Sequence, residues 1–341
     1  MNNPIVTFIE QQSPVDEYGR ALYAVARSVL RAMIDSLSSE DLTDLNTPLN
    51  EVTLRQLSKV ARIDIDKGLR GDGFEWAVHE AILGEEPTVV DLVHRAMKRA
   101  APKIKDEMPT SLMFGQERAK YLGFLDAVVG DAGNDAFLLP SGSGRPFQFA
   151  KWIPTAAQGY RAEEALPDRI KQVWKSDLFL STIGDSKNLA ATVKSNFGLL
   201  EGGRGLRIGI VPESTHPGNR SGIFHDKKTN LWIASLADPN GFMGLFNDGY
   251  HAVMRVVCSL GKQPAPAYWV KPSAKAQRVM EQMERFAGAK VLEVENALDH
   301  AAQQNLVGVN KQLVSVNAPP WLRMKSLAPK IISPKPKFSP I

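Results

Sequence analysis

The residues best equipped for chemistry lie in Lys175-Ser176-Asp177-Leu178-Phe179-Leu180 and in Leu189-Ala190-Ala191-Thr192-Val193-Lys194-Ser195-Asn196, with a turn signal at Gly184-Asp185-Ser186 between them. Two short apolar runs joined by such a turn predict a β-hairpin. Alternation along the second run puts Thr192 and Lys194 on one face and Ala191 and Val193 on the other, while Asp177 shares a face with Phe179 and Ser181. The hairpin therefore brings a carboxylate beside an ammonium at the end of a sheet. That pair suits Mg2+ chemistry on a phosphodiester: an oxygen ligand for a hard cation, and a positive charge to steer a water or neutralise phosphate. A plainer reading has Asp177 capping a turn and Lys194 ending a strand in solvent.

The elements that must hold this hairpin are readable in part. Ser13-Pro14-Val15-Asp16 opens a helix, with Leu22, Val25, Val29 and Met33 at helical spacing. A short helix follows Thr47-Pro48, with Leu54, Leu57 and Val60 on one side. Another starts near Asp72 and carries Phe74, Val78, Ala81 and Ile82. A capping box at Thr88-Val89-Val90-Asp91 leads into Leu92, Val93, Ala96 and Met97, and a further helix is predicted from about Thr110 to Val129. The first 130 residues thus read as almost wholly helical. The middle reads as strands: Ala136–Leu139, Phe147–Ile153, Asp177–Ile183, Leu189–Lys194, Leu206–Val211 and Leu231–Leu236, with a short helix at Glu163–Trp174. Gly241–Leu260 reads as a helix, and Ser273–Asn305 as a long helical pattern with a break at Gly288.

The pairing of Ser176-Asp177 on one strand with Thr192-Val193-Lys194 on the next resembles the PD-(D/E)xK nuclease superfamily, whose members are similar to restriction endonucleases in fold and cut DNA with Mg2+. The superfamily often carries a Glu on a preceding helix in a Gly-x-x-Phe-Glu setting, and this chain offers Gly71-Asp72-Gly73-Phe74-Glu75. The resemblance implies an α/β fold: a restriction-endonuclease-like mixed sheet flanked by helices, with a helical N-terminal region and a helical insertion. It implies Glu75 and Asp177 as metal ligands, the Val193 carbonyl as a third, and Lys194 as the group that positions and helps deprotonate the attacking water. The matching core covers roughly residues 70–85 and 174–260. Two positions depart from the pattern. Ser176 replaces Pro, which matters little chemically. Thr192 replaces an acid, and a hydroxyl ligates a divalent cation more weakly than a carboxylate; Glu75 or Glu80 would have to compensate, or the fold binds DNA without cutting it.

The expected organisation is a helical region at 1–69, a nuclease-like core at 70–265 with a helical insertion at about 86–172, a C-terminal helical region at 266–316 and a basic tail at 317–341. Within 341 residues, 41 basic and 37 acidic side chains give a net charge of +4, compatible with a nucleic-acid partner. Lys175, Lys187, Arg204, Arg207 and Arg220 cluster in sequence around the proposed site as DNA contacts. No acid follows Asp299, and the tail from Asn317 holds six prolines with Arg323, Lys325, Lys330, Lys335 and Lys337, a composition suited to phosphate contact. A homodimer through the long helix from Ser273 is expected, because double-strand cutting usually needs two sites. One cysteine, Cys258, excludes a disulfide scaffold or a cysteine-rich zinc site. No basic stretch ahead of an apolar run marks a secretory signal, and no run of about 18 apolar residues marks a membrane span. A reducing cytoplasm is the expected compartment.

Other patterns carry less. His79-Glu80 lacks the second His of a zinc-protease helix, because residue 83 is Leu. Pro140-Ser141-Gly142-Ser143-Gly144-Arg145 lacks the Gly-Lys-Ser/Thr ending of a phosphate loop and reads as a turn. His216–Arg220 and His225–Lys228 read as polar hairpin ends. Leu54–Ile65 loosely suggests a helix-turn-helix but suits a bundle helix better. The expected function is Mg2+-dependent cleavage of DNA in a restriction or phage-defence role; the alternative is a non-catalytic DNA-binding or regulatory protein on the same fold.

Overall fold

A computed structural model describes residues 17–37, 39–60, 69–83, 87–113, 137–139, 147–148, 176–182, 185, 187–200, 206–213, 222–236 and 242–303. In chain order the first elements are α1 (Glu17–Asp35), α2 (Ser39–Asp44), a 3-10 turn (Leu49–Glu51), α3 (Leu54–Val60), α4 (Leu69–Leu83) and α5 (Pro87–Ala100). The strands follow: β1 (Pro109–Met113), β2 (Phe137–Leu139), β3 (Phe147–Gln148), β4 (Leu178–Thr182), β5 (Lys187–Val193), β6 (Leu206–Pro212), β7 (Gly222–Asp226) and β8 (Leu231–Leu236). The helices α6 (Met243–Leu260), α7 (Ala274–Arg285) and α8 (Val291–Gln303) close the described chain. No described helix is long and apolar enough to cross a membrane.

The described residues fall into two units. One draws on Met1–Glu80 and Met243–Ala318, the other on Ala81–Phe242. In the helical unit, α1 packs against α6, α7 and α8. Its spacing explains why: Leu22, Val25, Ala26, Val29, Leu30 and Met33 form a stripe that is buried almost completely, each large side chain contributing about 1.5–3 kcal/mol. Gly249 on α6 permits a close approach, since a Cβ there would lie 2.6 Å from Val25 Cγ1. Two arginines share the buried side of α1 because acids meet them. Arg27 Nε and Arg31 Nε both donate to Glu295 Oε1, at 2.7 and 2.6 Å, and Arg27 Nη1 reaches Glu80 Oε2 at 2.7 Å and Asp299 Oδ1 at 3.2 Å. The Arg31 guanidinium lies 5.2 Å from the Trp76 ring centroid.

The helical run expected from Ser273 divides into α7 and α8. The chain between them pairs with the segment before and at the start of α3: Val291 N donates to Val52 O at 2.8 Å, Leu54 N to Ala289 O at 3.0 Å and Arg55 N to Ala287 O at 2.9 Å. Those extended-type bonds are incompatible with an unbroken helix. Ser273 caps α7 by accepting from Ala276 N at 3.1 Å, and its own N–H donates to Asp248 at 3.0 Å. α3 buries Leu54, Leu57 and Ser58 and packs on α6, as a bundle helix does; residues 61–65 of the helix-turn-helix pattern lie outside the described residues.

The sheet unit is a mixed α/β structure with an open sheet in the order β1-β4-β5-β6-β8-β7. β1 and β4 are antiparallel, as are β4 and β5; β5, β6 and β8 run parallel; β7 returns antiparallel to β8. β2 lies parallel to the start of β5 and pairs with β3. All five residues of β4 are buried, and the apolar runs in β5, β6 and β8 fit strands covered on both faces. α5 packs on β8 and β6. On the sheet, Gly209 admits Leu200, whose Cδ2 would sit 2.8 Å from a Cβ at that position.

Two expectations change. The helix predicted from Thr110 to Val129 begins instead as β1, with Leu112 opposite Phe179 and Thr110 opposite Ser181; pairing with a buried strand overrides a locally helical pattern, and residues 114–129 lie outside the described residues. His225–Lys228 do form a hairpin end: His225 and Asp226 close β7, and the chain turns there into antiparallel β8. Residues 70–80 and 243–265, expected within a core continuous with the strands, fall in the helical unit, because Gly73 and Phe74 of α4 pack on Val29 and Phe246. The predicted helix at Glu163–Trp174 lies outside the described residues.

Candidate functional site

The hairpin that carries Asp177 and Lys194 forms as its sequence suggests. Leu178 stands opposite Ala191, and Asp177 N also donates to Ala191 O, at 2.9 Å, so two residues of the first strand face one of the second just before β4. The Thr192 side chain lies within reach of Asp177 across the hairpin. Lys194 follows β5, and its backbone N–H is held by Ile210 O on β6 at 3.0 Å. Both residues are thus fixed by main-chain bonds at the same end of the sheet.

Four donor contacts converge on the Asp177 carboxylate. Lys194 Nζ lies 2.9 Å from Oδ2 and 3.1 Å from Oδ1. The Val193 amide donates to Oδ2 at 2.6 Å, and Thr192 Oγ1 lies 3.1 Å from the same oxygen. The side chains of Lys194 and Asp177 are 21% and 14% exposed, so the pair is mostly buried with an edge open to solvent. Burial raises the Asp177 carboxyl above the ordinary carboxylate range, outweighing the Lys194 charge and the three kinds of hydrogen bond that pull it down. The arrangement holds a carboxylate beside an ammonium in a partly desolvated spot, where charges interact more strongly than in water.

The other expected residues are placed as follows. Val193 is fully buried, and its described role is through its amide, which donates to Asp177. Glu75 lies on α4 in the helical unit, buried at 7% exposure between Phe74 and Trp76; it is no surface acid. Glu80, the fallback acid, is held by Arg27 at 2.7 Å and is depressed below the ordinary range by Arg27 and Arg31 against the cost of its burial. Lys187 sits at the start of β5 and Arg207 in β6; Lys175, Arg204 and Arg220 lie outside the described residues, as do Pro140–Arg145 and His216–Arg220. Among the described residues, no three or more His, Cys, Asp or Glu side chains group as a metal site. His79 is buried, and that burial lowers its pKa to about 4. Cys258 is a buried free thiol.

Strand alternation alone marks Thr192 as no more than a weak stand-in for an acid; its bond to Asp177 exists only once the two strands are paired. Arg27 and Arg31 also escaped notice, although their four-residue spacing along the apolar stripe of α1 marks two charges on a buried face. Compared with family models, curated proteins and solved structures, the chain matches none.

Proposed function

We propose that the sheet unit is a Mg2+-dependent endonuclease acting on DNA phosphodiester bonds, with Asp177 and Lys194 at its centre. The observation that carries the reading is the meeting of these two side chains, 2.9 Å apart, where two adjacent strands end. Mg2+ is usually bound through one or two carboxylates, with waters and substrate phosphates completing its shell; in this reading Asp177 supplies a carboxylate beside the Thr192 hydroxyl, with the Val193 carbonyl as a further oxygen. Bound there, the ion would polarise the phosphate and lower the pKa of a water.

In this reading Asp177 orients the reacting end of the sheet. Lys194 holds a positive charge where negative charge develops on the phosphate, and its nitrogen orients the attacking water. Main-chain anchoring of both residues keeps that geometry in place before substrate arrives. Lys187, Arg207 and the neighbouring bases Lys175, Arg204 and Arg220 would contact the DNA backbone, and a second copy of the chain would supply the second cut. The test is direct: purified full-length protein is incubated with plasmid and linear duplex, with Mg2+ and with EDTA. Metal-dependent strand breaks that vanish in Lys194→Ala support the reading, and their absence in the wild type overturns it.

Thr192 favours a second reading, a DNA-binding or regulatory protein that does not cut, because the residue across from Asp177 brings no charge. That protein would shift duplex DNA in a salt-dependent manner and leave it intact with any divalent metal.

A further inference from the structure

The strap that joins α6 to α7, residues 261–273, holds its own backbone while turning apolar side chains into solvent. Trp269 is buried, its ring stacked 5.7 Å from the His251 ring, with the Arg255 guanidinium 5.8 Å from its centroid. Arg255 Nη2 also donates to the carbonyls of Trp269 and Val270, at 3.1 and 3.4 Å. On either side of that anchor Tyr268 and Val270 are 66% and 69% exposed, the two highest values of any large apolar side chain among the described residues. At the far end Ser273 donates from its N–H and its hydroxyl to Asp248, which also accepts from Tyr18 Oη at 3.0 Å, and Lys275 Nζ lies 5.2 Å from the Tyr18 ring centroid. Between Asp248 and Glu281 the sequence has no acid and carries Arg255, Lys262, Lys271, Lys275 and Arg278; Lys262, Lys271 and Arg278 are exposed. An exposed aromatic on a fixed backbone, beside bases with no acid among them, matches a polymer that offers a π face and a negative charge at every nucleotide. Tyr268 can stack only on a base that has left its pair, so the strand is single. A lipid surface would call for a broader apolar face than two side chains. We propose that this strap is a contact for single-stranded DNA on the helical unit, with Tyr268 stacked on a base and Lys262 and Lys271 on phosphates. The choice of DNA over RNA rests on the nuclease reading.

The experiment reads the fluorescence anisotropy of a labelled oligothymidylate of about 20 nucleotides against the full-length protein in EDTA, so that no cleavage enters the measurement. Wild type should bind it more tightly than a duplex of equal length. Tyr268→Ala should weaken binding by about tenfold, within the usual worth of one stacked base, with the salt slope unchanged, and Tyr268→Phe should stay within about threefold of wild type. Lys262→Gln combined with Lys271→Gln should flatten the plot of log affinity against log salt by about 1.4 units, at about 0.7 for each single-strand phosphate contact. Tyr268→Leu carries the same comparison if the alanine variant does not fold. Equal affinity in Tyr268→Ala, tighter binding of the duplex or of an oligouridylate of the same length, or no binding at low salt overturns the proposal. So does binding to vesicles of phosphatidylcholine and phosphatidylserine that falls in Val270→Ser while the oligothymidylate is ignored, which would assign the strap to a lipid surface. A wild type that binds the oligothymidylate as expected yet never cuts DNA sinks the proposed function alone; one that cuts DNA while Tyr268→Ala binds equally well sinks this inference alone.

Discussion

Lys194 concentrates the proposed chemistry on one nitrogen, and its removal separates catalysis from folding. Its backbone is tied to β6 whatever side chain it carries, and without it Asp177 retains the Val193 amide, the Thr192 hydroxyl and access to water. Lys194→Ala should therefore slow cleavage by about 10²-fold or more, the usual cost of a missing charge-stabilising donor. Its urea midpoint should stay near that of wild type; full activity in the variant would remove Lys194 from the site. A second residue-scale effect concerns His79, whose folded-state pKa of about 4 lies below the ordinary 6.5 because burial opposes its charge. The unfolded chain then binds the proton more readily, so stability is full above pH 6.5 and falls as pH drops toward 4, by up to about 3 kcal/mol. Glu80, with its pKa lowered by Arg27 and Arg31, adds to the loss at the acid end as it is protonated. Urea midpoints taken from pH 7 to pH 5 should decline in wild type and flatten in His79→Gln; equal slopes would exonerate His79. The Asp177–Lys194 pair was legible because alternation and a turn signal are local facts. The bond from Thr192 to Asp177 was not, since it depends on a register that the two strands settle only when paired.

Among the elements, the strands with continuous apolar runs were the readable ones: β4, β5, β6 and β8 lie within a residue or two of expectation. β1 was not, because Thr110 to Met113 has no turn ahead that forces a strand; its conformation is decided by β4, more than sixty residues later. β7 was hidden for a similar reason, a short, half-buried outer strand whose pairing is set by β8. The break between α7 and α8 was marked by Gly288, yet its cause lies in residues 52–55, far away in sequence. At the contact of α6 with α1 the packing tolerates no added methyl. Gly249→Ala would press its Cβ toward Val25 Cβ and Cγ1, at 2.9 and 2.6 Å, and a β-branched side chain cannot rotate away. The expected cost is about 1–3 kcal/mol, read as a lower urea midpoint, and Val25→Ala in the same chain should recover part of it. An additive double variant would show that the helices simply move apart.

At the scale of the whole molecule, charge and connectivity matter most. The net charge is only +4, but the five bases from Arg323 to Lys337 have no acid among them. Removing the segment from Asn317 should lower DNA affinity and, if two to four phosphate contacts are lost, flatten the plot of log affinity against log salt by roughly two to four units. An unchanged slope with a lower melting temperature would mean the segment serves folding instead.

The ion pairs that join Arg31 to Glu295 span 264 residues, and that separation sets a timetable. At about 5–20 residues per second of synthesis, α1 waits roughly 13 to 50 seconds on the ribosome before α8 exists. Through that interval the whole sheet unit is made, and α4 alone can offer Arg27 and Arg31 the partners described above, Glu80 and Trp76. Glu295 and Asp299 come last, so the last described helix completes the unit that the first one began.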